Sequence, residues 1–297
     1  MKLVTIQTNN QDHLGVKTER GILDITAAAL AGKGGSLPQS IHELIEGGAA
    51  ARQAVESFVS EAEAGSAEWL DAASVVYGPC VTRPQKIICV GLNYRKHAEE
   101  TNAKIPEYPI LFNKFNNALT GHGHDVELPV TSKEVDYEAE LAIVIGRRTK
   151  HVTEEQALDY VFGYCSANDL SARDLQLRTN QWMLGKVSDG FAPIGPELVT
   201  ADEVPDPNNL QIRCEVNGVQ RQNSNTSDMI FNCKEIISYL SRHLTLEPGD
   251  IILTGTPEGV VLGYPPEKRV YLQPGDVVTV EIEKLGRITN RMVAENV

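Results

Sequence analysis

Apolar and β-branched residues first gather in three short runs, at residues 2–6, 13–18 and 21–25, separated by polar or glycine turns, which predicts a small antiparallel meander. Helical spacing follows. Ser40 is placed to cap a short helix over I-H-E-L-I-E that Gly47 and Gly48 end, and the Ala-rich stretch 49–63 is amphipathic. Between Val75 and Pro84 the helical period is lost, and Pro79 and Pro84 mark a boundary between a small N-terminal α+β domain, 1–78, and a larger domain, 84–297. The larger part is mostly strand. K-I-I-C-V-G (Lys86 to Gly91), I-L-F-N-K-F (110–115), the runs at 137–145 and 161–168, I-I-L-T-G (251–255) and V-V-T-V-E-I-E (277–283) are strands. Asn217-Gly218 turns a hairpin, and P-G-D at 248–250 and 274–276 introduces the last two of those strands. T-E-E-Q (Thr153 to Gln156) reads as a capping box opening a short helix, and Cys233, Ile236, Ile237, Leu240 and Leu244 form the stripe of an amphipathic helix over 232–244. The fold class is therefore α+β, mainly β.

One strand breaks its own pattern. In D-Y-E-A-E-L-A-I-V-I-G (Asp136 to Gly146), the near-continuous apolar run is that of a strand buried on both faces, yet it carries Glu138 and Glu140. Side chains two apart on a strand share a face, so these carboxylates project together roughly 6.5 to 7 Å apart. Most E-x-E pairs are the wet face of an amphipathic sheet; the apolar neighbours argue against that here. Buried like charges must take up protons or find a cation. Asp169 adds a third carboxylate if the run at 161–168 is a neighbouring strand. Three carboxylates with positions left open suit a hard ion, Mg²⁺ or Mn²⁺, rather than zinc. His122, His124 and Asp125 form a rival set, although the glycines at 121 and 123 make a tight turn whose polar side chains need no ligand.

Other candidates lie nearby in the chain. His97 and Glu100 are spaced i, i+3 on a helical turn, which fits a proton-handling pair as well as a charged surface helix. Arg173 and Gln176 are one helical turn apart; Arg173 can fork onto a substrate carboxylate or pair with Asp174 or Asp136, and Gln176 can hold a carbonyl. L-T-G-T-P-E-G (253–259) can offer backbone N–H groups and Thr256 to an anion or be a turn without a ligand.

Composition narrows the partners. The net charge of −13, the pI near 5.0 and the lack of a basic cluster disfavour a nucleic-acid or anionic-membrane partner and fit a small diffusible substrate better. No segment approaches the roughly 18 to 20 apolar residues of a membrane span, and M-K-L-V-T-I-Q-T-N-N has no signal-peptide apolar region, so a cytoplasmic protein is expected. The five cysteines are widely spaced without a C-x-x-C and read as free thiols. No G-x-S-x-G, H-E-x-x-H or G-x-G-x-x-G occurs.

The order D-Y-E-x-E, N-D-x-S-A-R-D-x-Q, G-K and L-T-G-T-P-x-G, over residues 80–294, resembles the fumarylacetoacetate hydrolase superfamily. The resemblance implies a mixed β-roll or β-sandwich catalytic domain, with Glu138, Glu140 and Asp169 as metal ligands. It implies that His97 and Glu100, an H-x-x-E on a segment closing over the metal, are the acid/base pair. Lys186 matches the lysine of the family's G-K and would add positive charge opposite a developing enolate. Thr256 would face an anionic substrate, and the protein would be a homodimer. The expected substrate is a small 2-oxo carboxylic acid. Hydrolytic C–C cleavage of a 1,3-diketo acid is the first expectation. Decarboxylation of an oxaloacetate-type acid comes next, then keto-enol or 2-hydroxymuconate-type isomerisation, with a non-catalytic metal-dependent binding protein as the other class. Residues 92–109, with Pro106 and Pro109, are expected to form a mobile lid.

Overall fold

The computed structural model describes residues 1–9 and 11–296. Strands β1 (Lys2–Thr8), β2 (Gln11–Thr18) and β3 (Gly21–Asp24) form the expected meander. Helices α1 (Ile25–Leu30), α2 (Ile41–Glu46) and α3 (Gly48–Ala64) follow. The sequence reading lacked α1, a six-residue helix started by Asp24, whose carboxylate accepts from Ala27 N at 2.8 Å. Ser40 caps α2 by accepting from Glu43 N at 3.2 Å.

Next come β4 (Ile87–Gly91), α4 (Arg95–Glu100), β5 (Ile110–Lys114), β6 (Leu119–Thr120), β7 (Asp125–Leu128), β8 (Val135–Asp136) and β9 (Ala139–Ile145). After α5 (Glu154–Ala157), β10 (Val161–Asn168) leads through β11 (Ser171–Ala172) into α6 (Arg173–Gln176). Then follow β12 (Ala192–Pro193), β13 (Glu197–Thr200), and the hairpin of β14 (Gln211–Val216) and β15 (Val219–Asn225). The chain finishes with α7 (Cys233–His243), β16 (Ile251–Leu253), β17 (Val277–Ile282) and β18 (Gly286–Ala294). Asn217 and Gly218 turn the hairpin with φ of 52° and 75°, the left-handed pair that a two-residue turn requires.

The expected capping box at Thr153 does not form. Gln156 N donates to the Thr153 carbonyl, the helix lasts one turn before a tighter turn to Tyr160, and Thr153 makes no side-chain cap bond. A full box occurs instead on α7, where Asn232 Oδ1 accepts from Glu235 N and Glu235 accepts from Asn232 N at 2.7 Å.

Nine strands make the main sheet, in the order β3-β2-β1-β13-β10-β9-β16-β4-β5, and a second sheet runs β15-β14-β17-β18-β7. The pairing of β1 with β13 carries the N-terminal meander directly onto the strands of the larger part. Strand β9 lies centrally, between β10 and β16, and is buried on both faces. Leu141, Ile143 and Ile145 enter the core shared with the second sheet and α7; Ala142 and Val144 enter the core under α2 and α3. Cutting Ile143 back to Ala would cost about 2–5 kcal/mol. This strand carries Glu140, and Glu138 immediately precedes it.

Candidate functional site

Glu138 lies just before β9 and Glu140 within it, and β10 runs antiparallel with Ala167 opposite Glu140 and Asn168 opposite Ala139. The end of β10 therefore arrives beside both glutamates. Asp169 N donates to the Glu138 carbonyl at 2.9 Å, and Glu138 N donates to Asn168 Oδ1 at 3.0 Å. One oxygen from each of Glu138, Glu140 and Asp169 lies within 4.8 Å of the others, and all three residues are buried. This is the three-carboxylate cluster expected from the sequence.

Cations surround it unevenly. Lys186 Nζ sits 2.7 Å from Glu138 Oε2 and 3.0 Å from Asp169 Oδ2. Arg173 pairs with Asp136 and Glu138 at 2.9 and 2.8 Å and donates to Gln176 Oε1 at 2.9 Å. Asp136 is itself fixed by the backbone N–H groups of Val261 and Leu262. Asp174, the other partner considered for Arg173, instead accepts from Ser132 Oγ and Lys133 N. Burial would raise the Glu138 carboxyl, but Lys186 and Arg173 outweigh it and hold the group at about 2. Glu140 has no ion-pair partner among the described residues. Burial first, then the charges of Asp169 and Glu138, push its carboxyl well above the usual range, with the N–H of Gly255 at 2.7 Å the opposing contact. An all-oxygen donor set with one anion short of a cation fits a hard divalent ion.

Lys114 is the residue that sequence reasoning missed. Fully buried at the end of β5, its Nζ lies 2.7 Å from Asp169 Oδ1 and donates to the carbonyls of Leu170, Lys186 and Phe191. Burial lowers its basicity, with Asp169 pulling the other way. It ties the Asp169 loop to the Lys186 loop. The sequence carried little signal for it, because β5 alternates half-buried and exposed positions and only Lys114 at its end is buried.

His97 stands on α4, with Nδ1 2.8 Å from Glu100 Oε1, while Glu100 Oε2 accepts from Gly259 N at 2.9 Å. His97 lines the same cavity, of about 180 Å³, as Glu138, Glu140, Arg173, Gln176, Lys186 and Thr256. Its apolar wall includes Phe112, Trp182 and Leu262. The Thr256 hydroxyl donates to the Ala139 carbonyl at 2.9 Å and accepts from Gln222 Nε2 at 2.8 Å, fastening the 253–259 turn to β9. The rival histidines hold backbone: His124 Nε2 is 2.7 Å from the Tyr77 carbonyl, and His122 Nδ1 accepts from Thr289 N. They do not join Asp125 in a ligand cluster; among the described residues only the three carboxylates do so.

A deeply set carboxylate cluster, a histidine-carboxylate pair opening on the same small cavity, and a double-sheet scaffold define a class of small-molecule enzyme. Residues 86–293 match the family described as Fumarylacetoacetate (FAA) hydrolase C-terminal, and the chain belongs to that family. It is 43% identical over 300 residues to the mitochondrial oxaloacetate tautomerase of Xenopus laevis, covering 99% of this chain and 90% of that one. Its fold matches the fumarylacetoacetate hydrolase of psychrophilic Exiguobacterium antarcticum with a TM-score of 0.81 at 32% identity, over 99% of this chain and 100% of that one. It also matches maleylpyruvate hydrolase of Sphingobium sp. SYK-6, solved with manganese(II) and pyruvate, with a TM-score of 0.80 at 31% identity over 100% of both chains. Among the described residues no helix is long and apolar enough to cross a membrane.

Proposed function

We propose that the chain is a divalent-metal-dependent enzyme interconverting the keto and enol forms of a small 2-oxo dicarboxylic acid, oxaloacetate. The observation that carries this reading is that His97, Glu138 and Glu140 line one cavity, with an Asp169 oxygen within 4.8 Å of the glutamate oxygens, in a chain 43% identical to an oxaloacetate tautomerase. Glu138, Glu140 and Asp169 would hold Mg²⁺ or Mn²⁺, which supplies positive charge favouring the enolate of a 2-oxo acid. With Nδ1 engaged by Glu100, His97 has Nε2 left to take a proton from C3 and return it to the oxygen on C2. Glu100 orients the ring and stabilises its charged form. Lys186 and Arg173 hold the carboxylates in place, and the Gln176 amide N–H groups are left for a substrate oxygen. The apolar wall of Phe112 and Trp182 keeps bulk water from the exchanging proton.

Hydrolytic cleavage, the first expectation from sequence, is the second reading, favoured by the similarity to a maleylpyruvate hydrolase. It would ask the same pair to activate water. An assay of the Mn²⁺-loaded protein against a panel of 2-oxo acids separates these outcomes by enol absorbance, acid release and CO₂ release. Enol exchange without cleavage is expected; cleavage of a 1,3-diketo acid with no effect on oxaloacetate enolisation would overturn the tautomerase reading.

We further propose a homodimer. Strand β5 ends the large sheet and exposes Leu111, and the nearby Phe115 is half-exposed. A monomer mass in light scattering at micromolar concentration would refute it. Cytoplasmic placement stays a proposal, supported by five buried free thiols, whereas the curated relatives named above are mitochondrial.

A further inference from the structure

A second hollow, of about 500 Å³, opens beside the carboxylate cavity and shares Thr101, Leu177 and Leu262 with it as a common wall. Glu100 lines the outer hollow while His97 lines the inner one. Pro265 and Pro266 stiffen the far side. Arg269 lines it too. Its Nε donates to the Tyr264 carbonyl at 2.9 Å, and it lies beside the Tyr271 phenol. The Tyr264 contact engages Nε, with the residue on the lining of the hollow. Among the described residues Arg269 has no carboxylate within ion-pair distance.

The contrast with the inner cavity decides what this arginine is for. Lys186 and Arg173, the cations lining the inner cavity, are each paired with two carboxylates. Glu100, the acid lining the outer hollow, has one oxygen on His97 and the other on Gly259 N. A substrate carrying a second negative group thus meets, among the described residues, no unpaired cation lining the inner cavity and one lining the adjoining hollow. A guanidinium with no carboxylate partner is open to an anion, and its planar fork matches a carboxylate.

We propose that Arg269 and the outer hollow bind the remote carboxylate of a 2-oxo diacid, making Arg269 the residue that selects diacids over monoacids. This deepens the reading of the site as acting on a 2-oxo dicarboxylate and rests on it for the chemistry at the other end of the molecule. A longer diacid suits the shared wall as well as a short one, so chain length belongs in the test.

The test uses unreactive 2-hydroxy acids with the Mn²⁺-loaded protein and calorimetric titration. Lactate carries no remote carboxylate; malate and 2-hydroxyglutarate carry one at two chain lengths. Wild type is expected to bind at least one diacid about ten-fold or more tighter than lactate, the scale of a charged hydrogen-bonded pair. Arg269→Gln should lose that preference with lactate affinity unchanged, and Arg269→Lys should keep part of it. No preference in wild type, a preference that survives in Arg269→Gln, or an equal loss of lactate binding in that variant overturns the proposal. The two readings fail separately: selectivity lost in Arg269→Gln without oxaloacetate enolisation by wild type removes only the reaction, and enolisation with undiminished selectivity in the variant removes only Arg269.

Discussion

Gly255 donates its backbone N–H to Glu140 at 2.7 Å, and that turn residue is the direct hydrogen-bond donor this carboxylate has among the described residues. The backbone there adopts φ of 98°, and an added Cβ would meet Asn93 at 2.7 Å, so only glycine brings the N–H this close. That single N–H opposes burial and the charges of Asp169 and Glu138, which together leave the Glu140 carboxyl well above its ordinary range.

Metal affinity should therefore rise with pH. Burial, then Asp169 and Glu138, raise the Glu140 carboxyl above its ordinary value, so in the metal-free protein a proton competes with the ion until pH exceeds that raised value. Calorimetry of Mn²⁺ binding in buffers of different ionisation heat should report proton release on binding. Glu140→Gln should weaken binding at least ten-fold and abolish that release; unchanged affinity would remove Glu140 from the ligand set.

The same shift sets the sign of a stability effect. A carboxyl raised on folding favours the folded state below its unfolded value near 4.3, and the benefit is lost as pH climbs toward the raised value. Glu138, held at about 2, acts oppositely, favouring folding above the unfolded value and losing that favour as pH falls toward 2. At neutral pH, metal-free Glu140→Gln should melt above metal-free wild type and metal-free Glu138→Gln below it.

Turnover and chelation should separate at His97. His97→Ala is expected to lower enolisation by about two to four orders of magnitude while Mn²⁺ and oxalate still bind. Glu100→Gln keeps the ring's neighbour but not its charge and should lose less. Full activity in His97→Ala would refute the acid/base assignment.

Residues 92–109 should gain amide protection when oxalate and Mn²⁺ are present. Asn93 and Lys96 tie the start of this segment to residues 228–231 and 254, and Glu100 accepts from Gly259 N, whereas 103–106 have no regular secondary structure. Equal exchange with and without the ligands would show that the segment does not close.

The proposed division at 79–83 has its own test. Leu3 and Leu14 share a core with Ala142, Val144 and Leu253, and β1 occupies the pairing edge of β13. A fragment of 84–297 should melt well below the full chain or aggregate through the uncovered edge; equal melting temperatures would mark two autonomous domains.

The carboxylates were legible because a strand's period of two is local: Glu138 and Glu140 share a face whatever the rest of the chain does. The hairpin at Asn217-Gly218 was legible for the same reason. Lys114 was not, because a lysine's burial depends on carbonyls from Leu170, Lys186 and Phe191, which arrive from distant loops. Nor was the seam between β1 and β13, which sets Lys2 opposite Val199 from a distant part of the chain. Arg173 left its partner open in sequence, since Asp174 adjoins it while Asp136 is 37 residues away; the short pairing of β8 with β11 brings Asp136 to it.

The turn at 253–259 touches the site twice, through Gly255 on Glu140 and Gly259 on Glu100. Gly259 is also pressed against the Arg221 carbonyl, which an added Cβ would meet at 2.2 Å, so the turn has no slack on its outer side. A displacement that eases one glutamate pulls on the other. Ion loading and closure of the helical segment, as proposed above, would then be strung on one length of backbone, and a substitution at Pro257 or Glu258 is expected to shift both together.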